Sequence, residues 1–75
     1  MQNDIYYFSI HLNQKEWLKY YSGKAHSIIV TTTTGIRVSI PAHNFIKFTS
    51  GNGIYGFFSM TISPQKKILA ITRIE

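Results

Sequence analysis

Between residues 5 and 12 the chain reads IYYFSIHL, and alternate positions fall into two sets. Tyr6, Phe8, Ile10 and Leu12 form one set; Ile5, Tyr7, Ser9 and His11 form the other. A period of two marks a strand, whose side chains leave on alternate faces. At Asn13 the period changes. Asn13 and Glu16 stand three apart, the spacing at which each side chain reaches the other's backbone N–H and starts a helix. Trp17, Leu18 and Tyr21 are the predicted buried face of that helix, with Lys15 and Lys19 pointing away. Gly23 is placed to end it in a left-handed conformation. A helix of about two to three turns does not hold alone, so it must pack on something.

Four more strands follow. HSIIVTTTT (26–34) is rich in β-branched residues, Thr34-Gly35 marks a hairpin turn, and IRVSI (36–40) alternates with Ile36, Val38 and Ile40 inward. Pro41 has no N–H to donate and ends that strand. PAHNFIKF (41–48) reads as a short helical turn or irregular crossing that buries Phe45, Ile46 and Phe48. GIYGFFSMTIS (53–63) is a long strand, with Ile54, Phe58, Met60 and Ile62 on one face and Tyr55, Phe57, Ser59 and Thr61 on the other. SPQK (63–66) is a turn around Pro64, and KILAITRI (67–74) closes the series. The expected class is α+β, mainly β, in the order β-α-β-β-β-β. Short turns imply an antiparallel arrangement. Five strands in so short a chain are expected to form a small curled sheet or barrel with the helix plugging one end.

Composition narrows this further. Seventy-five residues make one domain, 1–75, with a small core. Without cysteine there is no disulfide and no thiolate zinc site to stabilise it. Five Tyr, five Phe and one Trp supply large buried area per residue instead. The net charge is +5, which favours anionic partners, but Lys66-Lys67 is the one adjacent pair of cations, so there is no basic tail. No export signal or membrane-spanning apolar run is visible, and the cytoplasm is the expected compartment.

The candidate chemistry is sparse. GNGIYG (51–56) matches the dinucleotide spacing G-x-G-x-x-G. In that fold the glycines open a helix whose N-terminus holds pyrophosphate. Here FFSMTIS follows, which is strand sequence, so the expectation is a turn at Gly51 and Gly53 and a bulge or close chain approach at Gly56. YGFFSM (55–60) partly matches an RNA-recognition signature, although Ile54 and Gly53 depart from it. Tyr55 and Phe57 would share a face and stack bases, with Arg37 and Lys47 meeting phosphates. The competing expectation puts both rings beneath the helix, against Trp17 and Tyr21. His11, His26 and His43 have no metal-ligand spacing, and Asp4, Glu16 and Glu75 offer no carboxylate pair. No metal, cofactor or catalytic residue is expected, and an enzyme is not expected.

Several stretches together resemble one bacterial family, domain of unknown function 2835, found mostly in gammaproteobacteria. They are YYSGK (20–24), GIRVSIPAHNF (35–45), TSGNGIYGFFSMTI (49–62) and KILAITRI (67–74). Where Thr33 and Thr34 stand, members often carry an acidic residue. The resemblance spans nearly the whole chain and implies a small domain that stands alone; it transfers no activity and no catalytic residue. The functional expectation is thus a non-enzymatic binding module for single-stranded nucleic acid through Arg37, Lys47, Tyr55 and Phe57. The alternative is a protein-interaction or homo-oligomerisation module, homodimer included, which the unpaired edges of a short sheet would suit.

Overall fold

Antiparallel pairing joins residues far apart in the chain. In the computed structural model, which describes residues 2–21 and 26–75, β1 (Asp4–Asn13) pairs along its whole length with β4 (Gly53–Ile62). β5 (Ile68–Arg73) lies on the other side of β4, giving the order β1-β4-β5. β2 (Ser27–Thr31) and β3 (Arg37–Pro41) form a separate two-stranded sheet. α1 (Gln14–Tyr21) follows β1, and a 3-10 segment (Ala42–Phe48) follows β3.

The expected barrel is not formed. Closure requires every strand to bond to two neighbours. Here the two sheets are joined at one seam by the Thr33 N–H donating to the Tyr7 carbonyl at 2.8 Å. At the other seam β3 runs into the 3-10 segment, and β3 and β5 do not pair. α1 packs against β1, β4 and the 3-10 segment. The core between these elements centres on Phe58, whose ring lies 5.7 Å from Phe8, 5.9 Å from Phe45 and 5.1 Å from Phe48.

The helix start is as its spacing predicts. The Glu16 N–H donates to Asn13 Oδ1 at 2.8 Å, and the Asn13 N–H donates to Glu16 Oε1 at 3.2 Å. The buried face differs from the expectation. Trp17 is buried and Tyr20 packs against the core, while Leu18 is exposed. Positions 17 and 20 sit three apart on one side of the helix, and 18 is about 100° away. The side chain of Tyr21 and the expected stop at Gly23 lie outside the described residues.

Three more expectations differ from the structure. β2 ends at Thr31, because the Thr32 hydroxyl accepts the Ile36 N–H at 3.1 Å and bends the chain. Ile36 lies in that turn, before β3, and is exposed. In the 3-10 segment Ala42 and Phe45 are buried and Phe48 is half-buried, whereas Ile46 is exposed. Three residues per turn bring every third side chain to one face, which leaves Ile46 off it.

Candidate functional site

Pairing of β1 with β4 fixes which side chains meet. Ile5, Tyr7, Ser9 and His11 stand opposite Thr61, Ser59, Phe57 and Tyr55. Ser59 and Thr61 stand opposite Thr72 and Ala70 of β5. The other face of β1 and β4 carries the buried Phe8, Ile10, Phe58 and Met60. The first set of ten therefore forms the outer face of the three-stranded sheet. Tyr55 and Phe57 are not beneath α1; they lie across the sheet from the core in which Trp17 is buried.

That outer face is aromatic. Tyr7 and Phe57 stack with centroids 6.0 Å apart and planes 11° apart. Tyr55 tilts against His11 at 6.2 Å. Tyr7 and Tyr55 are 41% and 42% exposed and Ile5 56%, enough for each to meet a partner surface without rearrangement. None of the ten side chains is an Asp, Glu, Lys or Arg.

Glycines set the backbone beneath the rings. Ser50 and Gly53 bond to each other in both directions, Ser50 N–H to Gly53 O at 2.9 Å and Gly53 N–H to Ser50 O at 3.0 Å, closing a tight turn into β4. A Cβ on Gly53 would overlap the Leu12 carbonyl oxygen, so the pairing with β1 needs glycine there. At Gly56 a Cβ would come within 2.6 Å of the Glu75 carbonyl and 2.8 Å of Arg73 Nε. The chain at 73–75 passes so close that Phe57 exchanges backbone hydrogen bonds with Ile74 and Glu75. The G-x-G-x-x-G stretch thus makes a turn and a close chain approach, and it opens a strand.

The two expected cations stand elsewhere. Arg37 is exposed on β3, opposite Thr31, in the other sheet. Lys47 is exposed on the 3-10 segment, its Nζ 5.2 Å from the Phe48 ring, which itself packs on the core side of Phe58. The fold brings Tyr55 and Phe57 together with Tyr7 and His11; it does not bring Arg37 or Lys47 onto that face. Alternation along 5–12 puts Tyr7 and His11 on one side of their strand. Which distant strand would face them was not visible from local alternation.

A second feature lies at the open seam. A groove of about 440 Å³ runs between β3, the 3-10 segment and the β4–β5 hairpin. Val38, Ile62 and Ile68 line it with apolar surface, and His43, Lys66 and Lys67 with basic groups. The adjacent lysine pair was its one sequence signal.

Among the described residues, no three His, Cys, Asp or Glu side chains converge as metal ligands. No described helix is long and apolar enough to cross a membrane. Residues 4–74 match the family model described as protein of unknown function DUF2835. No curated protein and no solved structure matches the chain.

Proposed function

Because the chain belongs to the DUF2835 family, whose description assigns no activity, we propose its role from geometry: a non-enzymatic module that associates through the outer sheet face, with a second copy as partner. The carrying observation is an aromatic face without a formal charge on a chain of net charge +5. Two such chains repel over most orientations, and the repulsion is least where uncharged faces meet. Sheets pack face to face about 10 Å apart, a spacing that interdigitated Tyr and Ile side chains fill. The cytoplasm is the compartment this reading assumes.

Light scattering after size exclusion tests it. The expected mass is twice the chain mass at high concentration, falling to the monomer on dilution. Tyr55→Lys places a cation among the exposed rings of the face and is expected to keep the fold and abolish the dimer. A monomer at every concentration up to about 1 mM, the range of very weak association, would sink this reading.

A second reading keeps single-stranded nucleic acid as ligand, favoured by the exposed rings of Tyr7 and Tyr55 beside Phe57. Stacking on such rings contributes about 1–3 kcal/mol per base. Affinity for nucleic acid also needs phosphate contacts, and Arg37 and Lys47 would have to meet a strand leaving the face. Fluorescence anisotropy with labelled oligothymidine and oligouridine separates the two. Binding that weakens steeply with salt, and that drops with both Tyr55→Ala and Arg37→Ala, supports it. No binding at low salt removes it.

A further inference from the structure

The groove at the open seam lies on a different surface from the outer face. Its floor carries the half-buried Val38 and Ile68 and the buried Ile62. Its rim carries the exposed His43, Lys66 and Lys67. No acid lines it; Asp4, opposite Ile62 in the β1–β4 ladder, is an acid nearby in the fold. Two strand edges border it. Among the described residues β3 is bonded to β2 alone, and β5 to β4 alone. An unpaired edge offers a row of N–H and C=O groups to another chain.

We infer that this groove binds an extended acidic segment of a partner protein, which adds as a strand to the β5 edge at the seam the barrel leaves open. Strand addition supplies main-chain hydrogen bonds, and alternate side chains supply specificity. Apolar side chains of the segment enter between Val38, Ile62 and Ile68. Its carboxylates, on the alternate positions, meet Lys66, Lys67 and His43. An apolar floor under a cationic rim selects that alternation over a plain polyanion, which gains nothing from the floor, and over a neutral strand, which gains nothing from the rim. This surface is independent of the outer face.

The test uses the full chain and a short labelled peptide of alternating glutamate and valine, read by anisotropy at low salt. Saturable binding is expected, with amide shifts by NMR in 38–39 and 67–71. Lys66→Gly with Lys67→Gln removes two rim charges and should weaken binding about tenfold or more. Lys66 has φ +68°, so glycine there relieves strain and the variant keeps its fold. Three results would overturn the inference: no binding of the peptide, equal binding of an all-glutamate peptide or oligothymidine, or an unchanged affinity in the lysine variant. Shifts confined to Tyr7, Tyr55 and Phe57 would also overturn it, by placing the peptide on the outer face.

Discussion

Lys66 occupies a backbone conformation that glycine holds in the sister hairpin. In the β2–β3 turn the Gly35 N–H donates to the Thr32 carbonyl at 2.9 Å, and Gly35 has φ +86°. In the β4–β5 turn the Lys66 N–H donates to the Ser63 carbonyl at 2.9 Å, with φ +68°. The parallel extends to the side chains. The buried Thr32 and Ser63 each accept, on the hydroxyl, the N–H four residues on, at 3.1 Å in both cases. These are three-residue loops whose last position is left-handed. A side chain there costs about 1 kcal/mol, part of which glycine's extra unfolded-state freedom offsets. Lys66→Gly is therefore expected to raise stability by about 0.5 kcal/mol, seen as a higher urea midpoint at unchanged slope. Gly53 gives the opposite sign. Its added Cβ would overlap the Leu12 carbonyl oxygen, and φ is +113°. Gly53→Ala should cost about 2–4 kcal/mol, from strain and overpacking together. A loss under about 0.5 kcal/mol, the scale of a neutral surface change, would contradict that geometry.

The short helical elements depend on caps and on period. Asn13 and Glu16 satisfy two N–H groups at the start of an eight-residue helix. Asn13→Ala should cost about 1 kcal/mol, with a matching drop in far-ultraviolet helical signal before global unfolding. The 3-10 segment offers a sharper contrast. Phe45 is fully buried against Phe8 and Phe58, and Ile46 beside it is exposed. Phe45→Ala should cost about 3–5 kcal/mol and Ile46→Ala under about 0.5. Comparable losses at both positions would mean that the segment is not wound with a period of three. Alternation in β1 and β4 was fully legible, since a strand's period does not depend on its neighbours. Phe45, Ile46 and Phe48 were legible as apolar residues only. A helix of three residues per turn and one of 3.6 bury different members of such a trio, and packing selects between them.

A chain of 75 residues holds about 4–11 kcal/mol of net stability. Phe58 touches three other rings of one core, and Phe58→Ala should remove about 3–5 kcal/mol of that total. Emission from Trp17, which is buried, should shift to longer wavelength at markedly lower denaturant. Tyr55→Lys should change the unfolding midpoint little, because Tyr55 is exposed, yet shift self-association by more than about tenfold. Equal effects on folding and association would mean that Tyr55 acts through the core. At this scale the open seam and the aromatic face have one origin. The long β1–β4 ladder and the short β2–β3 hairpin have unequal lengths, are joined by the Thr33–Tyr7 backbone bond, and leave one face and one seam without cover.

The strand periods of β1 and β4, the Asn13–Glu16 cap, the turn into β4 and the antiparallel β2–β3 and β4–β5 hairpins were readable along the chain. Each rests on residues within about four positions of one another, or on a backbone preference of one residue. The side on which Tyr55 and Phe57 lie was not readable. It depends on the register of β1, more than forty residues earlier, and on which sheet face the helix and the 3-10 segment cover. Arg37 and Lys47 show the same limit, because charge along a sequence says nothing of which surface it reaches. Local rules made the elements; long-range packing decided that the aromatic rings face outward and that the lysine pair borders a groove.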